Sequence, residues 1–411
     1  VDIGKLAKNT SFTSHFSPFR FSRPYGTTSG TKNLPKKLKT MTTPTVYFDH
    51  NATTSLRPGV LDVVTEVLRE TGNASSIHGF GRIARKHIED ARAQIARTVD
   101  VDPGQIIFNS GATEGNNTIL KGFAGKRILV SAIEHPSVID CGVPVETFPV
   151  TTDGVVDLAA FERILKTGHA PALVSLMLVN NETGVIQPVA DAARLAKESG
   201  SLVHCDAVQA LGRIPFTRKE LGADFLTISS HKIGGPQGVG AIVMGPGAPL
   251  PRLLMGGGQE RGQRAGTENV AGIAGFGLAA EIARNSLENF AALQTLRTKI
   301  ETHLAAGPIS ITVHGSHAPR VSNTTSLSLR GIPSLTALMA LDLEGIAVSG
   351  GSACSSGSVK PSRVLSAAGI AAEDAKNALR VSLGWNTSAK DVEIFLAAWD
   401  KIAAQLAKNA E

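Results

Sequence analysis

LVHCDAVQALGRIPFTRKELGADFLTISSHKIGGPQGVGAIVM, residues 202–244, contains three short apolar runs: LVHCD (202–206), FLTIS (225–229) and GAIVM (240–244). Each has the length of a strand and is bounded by Gly, Pro or charged residues. The first ends in Asp206, and the second leads through His231 and Lys232 into Gly234-Gly235-Pro236. Runs this uniformly apolar belong to a sheet covered on both faces. Outward from this stretch, QIIFN (105–109), RILVS (127–131) and ALVSLMLV (172–179) read as further strands. Helical spacing appears at 61–70, 83–99 and 191–198, the last stopped by Gly200. Strands alternating with helices predict an α/β protein with a mostly parallel sheet. From 268 to about 302 the pattern predicts a long helix interrupted near Asn285. A strand at 325–329, a helix at 334–341, a Gly/Ser-rich loop around Cys354 and a closing helix from Asp391 suggest a second, smaller domain. There is no internal repeat.

The 411 residues are 42% hydrophobic and 18% charged, enough for a large core and unlike a disordered chain. The apolar run at 270–283 is broken by Glu281 and reads as a core helix, so no membrane span is expected. Residues 1–40 hold eight of the 41 Lys/Arg and one of the 35 acids, leaving 33 bases against 34 acids in the remainder. The pI near 9.2 therefore reflects the leader and gives no reason to expect nucleic-acid binding. The leader is also rich in Ser and Thr, which resembles a transit peptide; the plain alternative is an upstream extension before Met41. Three scattered cysteines make no disulfide framework and fit a reducing compartment. The cytoplasm is the expected location, with the mitochondrial matrix as the alternative if the leader is a transit peptide.

Ligands of open α/β sheets bind where polar loops follow the carboxyl ends of strands. Lys232 stands at such an end, and a desolvated lysine can lose its proton and form a Schiff base. Ser229 and Lys232 also match the Ser-x-x-Lys spacing of some hydrolases. However, the Lys166-Thr167-Gly168 element precedes it, no Ser-Asp-Asn lies between, and Gly234-Gly235-Pro236 spoils the helix that motif needs. His204-Cys205-Asp206 cannot converge on one metal ion, because alternate side chains of a strand face opposite ways. Asp206 at the strand end can pair with a buried cation, with Gln209 as a second polar contact. SGATE (110–114) follows a strand and opens a helix, an arrangement suited to a phosphate. Two Gly-x-Gly-x-x-Ala stretches, at 79–84 and 275–280, follow no strand and are rejected as dinucleotide sites. Cys354 lies among Gly and Ser in GGSACSSG (350–357) and reads as an exposed thiol, whereas Cys141 and Cys205 read as packed.

A strand-end lysine, a strand-end aspartate 26 residues earlier and a helix-start phosphate cup suit pyridoxal 5'-phosphate. The chain resembles the cysteine desulfurase family, of the class with a serine-rich cysteine loop, from about residue 46 to 406. The likeness rests on YFDHNATT (47–54), GNASSIH (72–78), SGATE (110–114), Glu134-His135, NNETG (180–184), HCDAVQ (204–209), SSHKIGG (229–235), GGGQERGQRAGT (256–267) and SGGSACSS (349–356). It implies the type-I fold of pyridoxal phosphate-dependent transferases, with a large, mostly parallel seven-stranded sheet domain and a smaller α+β domain. The implied divisions are a leader at 1–40, a segment at 41–60 packing with the small domain, a large domain at 61–300, and a small domain at 301–411 carrying the cysteine loop.

By the resemblance, Lys232 would hold the cofactor as a Schiff base and Asp206 would pair with its pyridinium nitrogen. Gln209 would contact the ring hydroxyl and His135 would stack on the ring and relay protons. Ala112, Thr113, Ser229 and His231 would line the phosphate. Thr267 would reach the phosphate of a neighbouring subunit, implying a homodimer. Arg380, with Asn181 and Asn73, would bind the substrate carboxylate, since a guanidinium fork matches a carboxylate, and Asn181 would also contact the cofactor. The implied reaction converts L-cysteine to L-alanine, with Cys354 taking the sulfur as a persulfide. A sulfur-acceptor protein such as an iron–sulfur scaffold would receive it. No resident metal is implied, although Cys354 is a candidate transient ligand of an iron–sulfur cluster. Two departures bear on the acceptor: the segment after His135 is short, as if a helix were deleted, and no extended tail precedes Glu411. A selenocysteine lyase, or a related aminotransferase or lyase without persulfide chemistry, is the alternative function.

Overall fold

The structure is a computed structural model and describes residues 46–350 and 361–410. The expected leader and Cys354 lie outside the described residues. In chain order the strands are β1 (Val46–Tyr47), β2 (Ile106–Asn109), β3 (Ile128–Ser131), β4 (Glu146–Phe148), β5 (Leu173–Met177), β6 (Leu202–Asp206) and β7 (Phe225–Ser229). They continue as β8 (Gly240–Met244), β9 (Ile311–Val313), β10 (Thr324–Leu329), β11 (Ile346–Ala347), β12 (Ser349–Gly350) and β13 (Ala378–Ser382).

Seven strands form the main sheet in the order β2-β8-β7-β6-β5-β3-β4. Pairing is parallel from β7 through β4, and β8 runs antiparallel to both of its neighbours. Consequently β2, β3, β5, β6 and β7 point the same way, and their carboxyl ends share one edge. The strands β2, β3, β5 and β7 are buried at every position, which explains why their sequences are continuous apolar runs rather than alternating ones.

Helices cover the sheet. The helix Gly79–Val99 buries Ala84, Ile88, Ala91, Ile95 and Val99, spaced for a single stripe. It starts four residues before the expected helix, because His78 accepts from the Gly81 N–H and so caps a first turn with no apolar periodicity. Its partner is Val270–Asn285, where a Cβ on Gly277 would lie 2.6 Å from the Ala91 Cα. The small residues of 275–280 thus serve close helix packing. The long helix expected from 268 is three: Val270–Asn285, Leu287–Ala291 and Leu293–Ala305. Between His135 and β4 there is one short turn of helix, Pro136–Ile139.

A second core surrounds a four-stranded sheet ordered β12-β13-β10-β9. It already takes in Phe290, Leu293 and Ile300, ahead of residue 301, and it also includes Val46 and Phe48 from the amino-terminal segment. That segment runs beside β13: Asp49 bridges to Ser382, and the Ser382 N–H donates to the Phe48 carbonyl at 2.8 Å. No helix among the described residues is long and apolar enough to cross a membrane.

Candidate active site

The carboxyl edge of the main sheet opens onto a cavity of about 630 Å³. Lys232 reaches it from the turn Ser230–Lys232 that ends β7. Its Nζ donates to the Asn51 carbonyl at 2.5 Å and the Ala52 carbonyl at 2.8 Å. The next turn depends on its glycines. Gly234 has φ +85°, and a Cβ on Gly235 would sit 2.1 Å from the Ser230 Oγ.

Asp206, at the end of β6, is buried and firmly held. Its Oδ2 accepts from Asn116 Nδ2 at 2.9 Å, and its Oδ1 from the Val208 N–H at 3.0 Å. One turn on, Gln209 donates through Nε2 to the Asn51 carbonyl at 3.0 Å, while its buried Oε1 has no partner. The neighbouring His204 lies in the sheet, bonded to Ser175 at 2.8 Å and Thr227 at 3.0 Å, and Cys205 is fully buried. The three successive side chains of 204–206 thus do not converge on one ion.

His135 lies at the mouth of the helix Pro136–Ile139. Its Nδ1 accepts from the Ser137 N–H at 3.1 Å, which leaves Nε2 to carry the ring proton. Burial holds its pKa below the usual imidazole value; Asp206 opposes that effect and Lys232 adds to it. Before it, Glu134 is buried, and burial pushes its pKa up to about 8, with Asp206 adding to the rise.

The anion cup is built where β2 ends. Gly111, at φ +146°, turns the chain into the helix Ala112–Lys121, and Ser110 to Thr113 line the cavity. Across the opening, the buried Ser229 Oγ lacks a partner. On the cavity wall, Arg380 of β13 is 2% exposed and donates from Nη1 to the Asn181 carbonyl at 3.0 Å and from Nη2 to Asp49 Oδ1 at 2.6 Å.

Of the residues singled out from sequence, Ala112, Thr113, His135, Asn181, Asp206, Gln209, Ser229, His231, Lys232 and Arg380 line this one cavity. Asn73 does not: it is exposed in the loop before residue 79, and its Oδ1 accepts from the Ser75 N–H. Thr267 lines an adjacent pocket of about 150 Å³ with Ser110 and Arg264. Cys141 and Cys205 are free and buried, as expected. Sequence reading gave no role to Asn51 or Asn116. Asn116 lies one helical turn after Ala112, so its spacing alone placed it on the cup's face of the helix. Among the described residues, no group of three or more His, Cys, Asp or Glu could hold a metal ion.

The aminotransferase class-V family matches residues 46–395. The chain is 39% identical over 376 residues to the cysteine desulfurase IscS of Dictyoglomus turgidum, covering 88% of this chain and 95% of that one. The chain belongs to the cysteine desulfurases of the class-V aminotransferase family. The structure of a NifS-like protein from Rickettsia africae superposes with a TM-score of 0.81 at 37% identity, covering 87% of this chain and 99% of that one. A structure of SspA in complex with cysteine gives a TM-score of 0.73 at 28% identity, covering 84% and 100%. The overall fold is therefore that of the NifS-like enzymes.

Proposed function

We propose that the chain is a pyridoxal 5'-phosphate-dependent cysteine desulfurase that converts L-cysteine to L-alanine and holds the released sulfur as a persulfide of Cys354. The observation that carries this reading is the convergence, in one cavity, of Lys232, the doubly held Asp206 carboxylate and the helix-start cup at 110–113. The residues fit the cofactor. Two buried atoms, Gln209 Oε1 and Ser229 Oγ, lack partners in the protein; a ring hydroxyl and a phosphate would satisfy them.

Lys232 would hold the cofactor covalently, Asp206 would keep its ring nitrogen protonated, and Gln209 would meet its hydroxyl. Ala112, Thr113, Ser229 and His231 would take its phosphate, and Thr267 the phosphate in the neighbouring subunit of a homodimer. When bound, the group supplies an electron sink for the charge left as the substrate Cα–H bond breaks. The chain's own residues do the rest. Arg380 and Asn181 bind the substrate carboxylate, in a fork already oriented by Asp49 and the Asn181 carbonyl. Lys232 Nζ takes the Cα proton, and His135, neutral with its proton on Nε2, returns a proton as alanine forms. The Cys354 thiolate attacks the substrate Sγ, forming the S–S bond as the Cβ–Sγ bond breaks; the electron pair stays with Cβ, which takes up a proton to become the methyl group of alanine. The sulfur then passes to an acceptor such as an iron–sulfur scaffold protein.

The test is an absorbance spectrum, then L-cysteine addition with alanine assay and intact mass under non-reducing conditions. Expected are a band near about 400 nm altered by Lys232→Ala, alanine release, and an adduct of about 32 Da that Cys354→Ala abolishes. A band with turnover but no adduct would point to a lyase without persulfide chemistry. No band at all would overturn the reading.

A further inference from the structure

The anion cup carries a carboxylate of its own. Glu114 stands in the first turn of the helix that follows the cup, and its Oε2 accepts from the Ser110 N–H at 2.8 Å. A negative charge in that place opposes a phosphate and occupies one of the N–H groups a phosphate would use. Arg264 answers it with a two-pronged contact, Nε to Oε1 at 2.9 Å and Nη2 to Oε2 at 3.2 Å. Burial alone would raise the Glu114 pKa, but the bonds from Arg264 and Ser110 outweigh it and hold the carboxyl below its ordinary range. Glu114 is thus ionised at neutral pH and depends on its partner.

Arg264 belongs to the turn at 256–267, not to the cup. A second pair anchors that turn. Glu260 bonds Arg92 at 2.7 and 2.8 Å and accepts from the Phe108 N–H at 2.9 Å. β2 is an edge strand of the main sheet, so these side chains fill hydrogen-bonding positions that no neighbouring strand takes. Glu260 and Arg261 adopt φ +46° and +57°, a left-handed backbone that non-glycine residues keep only where surrounding contacts hold it. The turn is tied to the strand before the cup and to the helix after it.

We propose that Arg264 is a positioning residue that sets the anion affinity of the cup: by neutralising Glu114 it lets a phosphate group seat on residues 110–113. The inference rests on the cofactor reading above. The full chain, freed of cofactor, is titrated with pyridoxal phosphate, with pyridoxal, which has no phosphate, and with inorganic phosphate. Arg264→Met weakens pyridoxal phosphate and inorganic phosphate by at least about ten-fold and changes pyridoxal by less than about two-fold. Adding Glu114→Gln to Arg264→Met recovers most of the loss. A purely structural role would weaken pyridoxal equally and make the double variant no better than the single; either result overturns the proposal. Should Arg264→Met fail to fold, Arg264→Lys must bind pyridoxal phosphate within about three-fold of the parent, since it keeps the charge, and a ten-fold loss there is refuting. A parent chain that binds inorganic phosphate with this variant order, yet no pyridoxal phosphate, keeps the inference and sinks the cofactor reading. A parent that binds neither sinks both.

Discussion

Replacing Glu134 by Gln makes the protein more stable at alkaline pH relative to the parent, and the structure gives the size of the effect. The side chain is 3% exposed. Its Oε1 accepts from Ser131 Oγ at 2.5 Å and from the Met177 N–H at 2.7 Å, while Oε2 is buried without a partner. Burial, with Asp206 nearby, pushes its pKa up to about 8 from an ordinary 4.5. The folded chain therefore binds this proton more tightly than the unfolded chain does. The stabilisation is fully present below pH 4.5 and is lost as the pH climbs towards 8. At about 1.4 kcal/mol per pH unit the whole gap is worth about 5 kcal/mol, and relaxation on ionisation brings the observable part to about 2–4 kcal/mol. Gln keeps an acceptor for Ser131 and Met177 and cannot titrate. Urea unfolding from pH 5 to 8 is the assay: parent stability falls relative to Glu134→Gln by about 2–4 kcal/mol across that range. Parallel curves would refute the claim that Glu134 is neutral in the fold. The same neutrality leaves Asp206 without a charged acid beside it, so the cofactor spectrum of Glu134→Gln at pH 7 should match that of the parent.

Two further outcomes follow from the site. Arg380→Lys loses the fork and one charge-assisted bond, so KM for L-cysteine rises about ten- to hundred-fold while kcat falls less, in steady-state alanine assays; a fall in kcat at constant KM would contradict the carboxylate role. Gly235→Ala forces a Cβ to within 2.1 Å of the Ser230 Oγ, next to Lys232. It should destabilise by about 1–3 kcal/mol and shift the cofactor band, read by thermal unfolding and absorbance; an unchanged melting temperature would mean that the turn relaxes freely.

The main sheet was legible because its strands are buried on both faces, and such strands are written as uninterrupted apolar runs. β13 was not. Its sequence, ALRVS, holds an arginine at its centre, which local pattern reading takes for a surface residue. Arg380 is buried there with two partners remote in sequence, the Asp49 carboxylate 331 residues earlier and the Asn181 carbonyl. The three-residue β4 was missed for a different reason: Glu146 and Thr147 are exposed and only Phe148 enters the core. The cup, Asp206 and Lys232 were legible because each follows a recognisable strand. The supports behind them were harder to read: helical spacing puts Asn116 on the cup's face, but its bond to Asp206, like that of Glu260 to the edge of β2, forms only on folding.

Asn51 shows how far such hidden support extends. It is 2% exposed and spends every polar atom. Its carbonyl accepts from Lys232 and Gln209, and its Oδ1 accepts from Arg213 at 2.6 Å and Asn323 at 3.2 Å. Its Nδ2 donates to the Asn181 carbonyl at 3.0 Å and Thr324 Oγ1 at 2.9 Å, and its N–H to Ser382 Oγ at 3.0 Å. Lys232, Gln209 and Arg213 follow strands of the main sheet, whereas Thr324 and Ser382 lie in the second sheet. A buried amide so fully bonded tolerates little displacement, because each lost bond leaves a buried polar group unpaired. The lysine end of the cavity and the Arg380 end are therefore held at a set separation through one residue, its main-chain carbonyl on one side and its side-chain amide on the other. That is the geometric requirement for a site in which one group grips the substrate carboxylate while another moves the proton from the carbon next to it.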